Sequence, residues 1–78
     1  MRIEVRLYAT FRRYAPSAAE GVLTLDMPEG SKAADAIAKA EVNADEVHII
    51  LINGVSSPPD RVLGEGDRLG LFPAVGGG

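Results

Sequence analysis

The sequence predicts an α+β domain: a mixed sheet of four to five strands with one main helix across one face. Three observations carry that expectation. The chain opens on a strictly alternating apolar run, an alanine-rich helical run follows a second strand, and an unbroken apolar run lies beyond the helix. With 78 residues there is room for a single core, and a chain of this size buries roughly 60–65% of its unfolded surface.

The first strand is Arg2-Ile3-Glu4-Val5-Arg6-Leu7-Tyr8, with Ile3, Val5 and Leu7 on one side and Arg2, Glu4, Arg6 and Tyr8 on the other. Residues 9–15 hold Phe11 and Tyr14 at helical spacing before Pro16, and read as a short helical turn or ordered loop. Residues 22–27 form a second strand between Gly21 and Pro28, with Leu23, Leu25 and Met27 sharing a face. Its connection to the first strand is too short for a crossover helix, so antiparallel pairing follows. Pro28-Glu29-Gly30 is a turn and Ser31 is the expected N-cap of a helix over residues 32–41. Ala33, Ala34, Ile37 and Ala38, with Ala40 or the stem of Glu41, give that helix a shallow apolar face.

Val47-His48-Ile49-Ile50-Leu51-Ile52 is apolar at successive positions, the pattern of a central strand buried on both faces. Asn53-Gly54 ends it in a turn, Ser57-Pro58-Pro59-Asp60 is a loop, and Val62-Leu63 is a short edge strand or turn. After the turn Gly64-Glu65-Gly66-Asp67, the last strand runs Arg68-Leu69-Gly70-Leu71-Phe72 to Pro73. Strand, strand, helix, strand, loop, strand is the order of a β-grasp domain, here residues 1–73, with residues 74–78 as a flexible tail.

Composition excludes several functions. There is no cysteine, hence no disulfide scaffold, thiolate zinc site or thiol nucleophile. One histidine supports neither a histidine metal cluster nor a Ser–His–Asp triad, and His48 reads as a strand histidine. A net charge of −3 argues against nucleic acid, and no apolar run reaches the length of a membrane span. No signal-peptide pattern opens the chain, and the cytoplasm is the expected compartment.

The chain closes on Phe72-Pro73-Ala74-Val75-Gly76-Gly77-Gly78. Glycine packs nothing and is the most expensive residue to order, so three in a row serve no fold. A frayed end is the plain alternative to a tail made to enter a narrow channel. Pro73 keeps the departing chain extended, and five residues reach about 16–18 Å. The reactive group at the tip is the Gly78 carboxylate, ionised at neutral pH and inert as an acyl donor until activated.

Val5-Arg6-Leu7-Tyr8-Ala9, Pro28-Glu29-Gly30-Ser31, Ile52-Asn53-Gly54, Leu63-Gly64-Glu65-Gly66-Asp67-Arg68-Leu69 and the Phe-Pro-x-Val-Gly-Gly ending stand in an order that resembles the MoaD/ThiS family of ubiquitin-like sulfur carriers. The proline in the ending is more similar to the small subunit of molybdopterin synthase than to the thiamine-pathway carrier. The third glycine is a departure from the usual pair. The resemblance implies that an ATP-dependent adenylating enzyme activates Gly78 and that sulfur converts it to a thiocarboxylate. The molybdopterin synthase large subunit, or an equivalent acceptor, then consumes it. It implies a tail of Val75, Gly76 and Gly77 entering the partner, no cofactor bound by this chain and no catalytic side chain. A thiamine-pathway carrier, a protein modifier joined through Gly78 to lysines, and a plain β-grasp adaptor are the alternatives.

Alternation places Tyr8 and Phe72 on the sheet face away from the helix, joined by Ile50 with Ile52 or by Ile49 with Leu51. Exposed apolar patches mark interfaces, so Tyr8, Phe72 and Pro73 are the expected partner-binding residues. Arg2, Arg6, Arg12, Arg13 and Arg68 are expected near one end of the sheet, either as a solvated face or as a patch for an acidic partner.

Overall fold

The computed structural model describes residues 1–8 and 21–73. The turn expected over residues 9–15 lies outside them, as do Arg12, Arg13 and residues 74–78. Five strands form one sheet: β1 (Arg2–Leu7), β2 (Val22–Asp26), β3 (Val47–Ile52), β4 (Val55–Ser56) and β5 (Arg68–Pro73), in the order β2-β1-β5-β3-β4. β1 pairs antiparallel with β2 and parallel with β5, and β3 pairs antiparallel with β5 and β4. Helix α1 (Ala33–Lys39) and a 3-10 turn (Ala44–Glu46) lie between β2 and β3.

The core is the alternation of the strands made three-dimensional. Ile3, Val5 and Leu7 from β1 meet Leu69 and Leu71 from β5, Ile50 and Ile52 from β3, and Ala33, Ala36 and Ile37 from α1. Leu69 and Leu71 are 0% exposed. β5 is the middle strand, which corrects the expectation that β3 is central. β3 is also buried on one face rather than two: Ile50 and Ile52 enter the core, while Ile49 on the other face is 41% exposed. The unbroken apolar run reflects two distinct surfaces, of which the core takes one.

The helix differs from its expected form at both ends. Lys32, not Ser31, is the N-cap, and its backbone N–H donates to the Asp35 carboxylate at 2.8 Å. The Ser31 hydroxyl instead donates backwards to the Pro28 carbonyl at 2.6 Å, closing the turn in which Gly30 has φ +85°. The helix stops at Lys39. Glu41 sits at φ +61°, and the N–H groups of Glu41 and Val42 donate to the Ala38 and Ile37 carbonyls, a Schellman ending. Ala33, Ala36, Ile37 and Ala40 are buried, whereas Ala34 and Ala38, expected on the apolar face, are exposed. The stripe follows the i, i+3, i+4, i+7 spacing from Ala33.

Asn53 and Gly54 have φ +52° and +83°, the left-handed pair that a two-residue hairpin between β3 and β4 demands. β4 was not anticipated; residues 62–63 contribute only a single bridge, Val62 to Lys32. Asp67 then ties three segments together. Its carboxylate accepts from the Gly64 backbone N–H at 2.7 Å and from the Asn53 side-chain amide at 2.9 Å, and its carbonyl accepts from the Glu4 N–H at 3.0 Å. Asn53 returns the contact by accepting from the Arg68 N–H at 3.1 Å. The Asn-Gly and Gly-Glu-Gly-Asp motifs thus tie β3, β5 and β1 together at one end of the sheet.

Candidate functional site

The centre of the sheet face opposite α1 is built by the alternate residues of three strands. β1 places Arg2, Glu4 and Arg6 there, β5 places Arg68, Gly70 and Phe72 beside them, and β3 adds Ile49 and Leu51. The parallel β1–β5 ladder continues one residue past Leu7, because the Tyr8 N–H donates to the Leu71 carbonyl at 3.2 Å. That bond brings Tyr8 level with Phe72. The two rings stack, with centroids 4.4 Å apart and planes 1° from parallel.

Gly70 is the reason the Tyr8 ring lies where it does. A Cβ at position 70 would stand 3.3 Å from Tyr8 Cε2 and 3.6 Å from Leu51 Cβ. The tyrosine ring therefore occupies the space over a strand position without a side chain. A glycine in a strand interior is the sequence signal for such a close approach. Ile49 pairs with Phe72 in register and Leu51 with Gly70, so of the two β3 pairs weighed, Ile49 with Leu51 joins the aromatics. Tyr8 is 37% exposed, while Phe72 and Pro73 are half-buried. Phe72 is thus less exposed than expected, because Tyr8 covers one of its faces.

Charged groups border this strip. The Arg6 Nε donates to Glu4 Oε2 at 2.8 Å, and the Arg68 Nε lies 4.0 Å from the same oxygen. The Glu4 carboxylate hydrogen bond raises the Arg6 pKa above its ordinary value, with a smaller contribution from a hydrogen bond to the Tyr8 phenol. Arg2 lies apart, 3.8 Å from Asp26. The expected gathering of arginines therefore reduces, among the described residues, to Arg6 and Arg68 around one glutamate.

Pro73 ends β5 opposite Val47. Residue 74 follows it, so the sequence-predicted tail residues Val75, Gly76, Gly77 and Gly78 lie outside the described residues. His48 is exposed at the irregularity between Val47 and Ile49 and lines a shallow groove with Ala34, Ile37 and Pro59. Among the described residues no group of three His, Asp or Glu side chains is arranged to hold a metal ion, and no helix is long and apolar enough to cross a membrane.

A five-stranded mixed sheet with one helix across one face is the architecture of the ubiquitin-like β-grasp proteins. The ThiS family model matches residues 5–78, and the chain belongs to that family of ThiS/MoaD-like sulfur carriers. Small carriers of this type are generally not catalysts themselves, and they work with an activating enzyme and a sulfur acceptor. Among solved structures, a Pyrococcus furiosus protein assigned as subunit 1 of the molybdopterin converting factor shares 26% identity over 96% of this chain and 99% of its own, with a TM-score of 0.77. SAMP1 from Haloferax volcanii matches with a TM-score of 0.73 and 22% identity, covering 100% of both chains. The Haloferax volcanii HVO 2177 protein matches with a TM-score of 0.78 and 23% identity over 100% of this chain and 87% of its own. No curated protein matches the chain.

Proposed function

We propose that this chain carries sulfur for molybdopterin biosynthesis on the carboxyl carbon of Gly78. The observation that carries the reading is the family match through residue 78, together with the likeness to the Pyrococcus furiosus protein assigned to the molybdopterin converting factor. The chemistry needs no side chain from the carrier. The Gly78 carboxylate attacks the α-phosphate of ATP on an adenylating enzyme, giving the acyl adenylate and pyrophosphate. Hydrosulfide, or a persulfide whose S–S bond a second thiol then cleaves with formation of a disulfide, adds to the carbonyl carbon and displaces AMP, leaving the thiocarboxylate. The large subunit of molybdopterin synthase consumes it.

In this reading residues 1–73 are the handle and residues 74–78 the arm. Tyr8, Phe72 and Pro73 dock the handle on the partner, while Val75, Gly76 and Gly77 pass into its active site. The stacked pair supports the docking role: it stands at the end of β5, where the arm begins, and an apolar strip open to solvent on so small a sheet calls for a partner. ATP belongs to the activating enzyme.

The test is the intact mass after incubation with the adenylating enzyme of the same organism, ATP and a sulfur source. Exchange of one oxygen for sulfur adds about 16 Da. A mass that never changes with a competent enzyme overturns the reading. The likeness to SAMP1 supports a second reading, in which a lysine amine rather than a sulfur nucleophile takes the activated acyl group. Isopeptide-linked adducts in cell extract distinguish it. Restoration of molybdoenzyme activity, rather than of thiamine synthesis, in strains lacking each carrier separates the two sulfur pathways.

A further inference from the structure

The open face also contains a small hollow of about 170 Å³, bounded by Arg6, Tyr8, Leu51, Gly54, Arg68 and Gly70. Gly70 lies at its margin beneath the Tyr8 ring, where a Cβ would stand 3.3 Å from Tyr8 Cε2 and 3.6 Å from Leu51 Cβ. Arg6 and Arg68 are the two cationic residues of its lining. Glu4 faces both, as the one carboxylate among the described residues paired with either. Its contact with Arg6 is a hydrogen bond, but its 4.0 Å approach to Arg68 is at the limit of an ion pair, and the Arg68 side chain is 67% exposed. Two positive charges thus share one negative charge beside an aromatic ring and a leucine.

We infer that this hollow is a subsite for a single acidic side chain, Asp or Glu, of a partner protein that docks on the Tyr8–Phe72 strip. The charges match in number: a second carboxylate completes two guanidinium–carboxylate pairs, and Glu4 holds the arginines on either side of the opening. The apolar walls match the aliphatic stem of such a side chain. A polyanion fits poorly. Nucleic acid needs a basic stripe along its backbone, whereas this chain has a net charge of −3 and Glu4 stands between the two arginines. The inference deepens the docking role proposed above, because it adds the chemistry of the residue that the partner must present.

The test uses the full chain, isotope-labelled, and a probe that requires no enzyme: N-acetylglutamate amide titrated by NMR against N-acetylglutamine amide and inorganic phosphate. Saturable shifts are expected at the Gly70 and Leu51 amides and at the Arg6 and Arg68 Nε–H groups, with the glutamate probe alone. Arg6→Gln and Arg68→Gln are each expected to weaken binding about threefold, the scale of an exposed ion pair. Gly70→Ala presses a Cβ against Tyr8 and Leu51, two walls of the hollow, and is expected to weaken the response, with retained dispersion at Leu69 and Leu71 showing that the fold survives. An equal response to the glutamine probe overturns the inference, as does a stronger response to phosphate, an unchanged response in the double arginine variant, or no saturable shift. Because the titration contains no activating enzyme, a failed subsite leaves thiocarboxylate formation standing, and a failed mass change leaves the subsite standing.

Discussion

Phe72 combines two energies that a single substitution separates. Its stack on Tyr8 belongs to the free protein, where such pairs contribute about 0.5–1.5 kcal/mol. Its outer surface belongs to the proposed interface, where truncating a central aromatic costs about 2 kcal/mol or more, roughly thirtyfold in affinity. Phe72→Ala is therefore expected to lower the unfolding free energy by about 1–2 kcal/mol, since the residue is half-buried, and to weaken partner binding by the larger factor. A loss of stability with partner affinity unchanged would remove the strip from the docking role. Arg6 sets a pH expectation of the opposite kind. Its pKa is raised in the folded state, so its contribution is present at every pH below the ordinary guanidinium range and is lost only as pH rises through the raised value. Arg6→Gln is expected to change stability by the same amount at pH 6 and pH 9, which chemical denaturation at the two values measures.

At the scale of the elements, the turns hold what the short strands cannot. Asp67→Ala removes the carboxylate that accepts from the Gly64 N–H and the Asn53 amide, both at the surface. Loss of those acceptors is expected to cost about 1–2 kcal/mol, and a domain of this size loses about 4–8 °C of Tm per kcal/mol. Asp67→Asn keeps one acceptor oxygen and should lose less. The end of α1 offers the reverse. Glu41 holds a left-handed conformation that glycine adopts without strain, so Glu41→Gly is expected to stabilise by about 1 kcal/mol, read as a rise in Tm. The Schellman ending left no sign in the sequence because its usual glycine is absent. The preference of Ser31 for the Pro28 carbonyl was equally hidden, since a serine before a helix is ordinarily its cap.

Across the whole molecule, order is deepest in β1 and β5. Each is paired along both edges, whereas β4 covers β3 only at Leu51 and Ile52. The slowest-exchanging amides are therefore expected in β1 and β5 rather than in β3, which native-state hydrogen exchange resolves residue by residue. The proposed division into handle and arm gives a second expectation at this scale. Deleting residues 76–78 should abolish the 16 Da gain (about one oxygen-to-sulfur exchange) while leaving Tm unchanged, because the buried core among the described residues runs from Ile3 to Leu71.

The sequence by itself determined the class of fold, the pairing of β1 with β2, and the face that Tyr8 and Phe72 share. The pairing and the shared face follow from connection length and alternation, which act within a few residues. The Asn53-Gly54 turn was legible for the same reason, since its geometry selects the residues that can adopt it. Only the tertiary structure decided which face of β3 enters the core, that Ala36 rather than Ala34 lies on the buried face of α1, and that Gly70 is the bed of Tyr8. Each of those depends on residues far apart in the chain meeting across a surface. An apolar run offers both faces of β3 equally, and only the other strands and the helix, once placed, cover one and leave the other open.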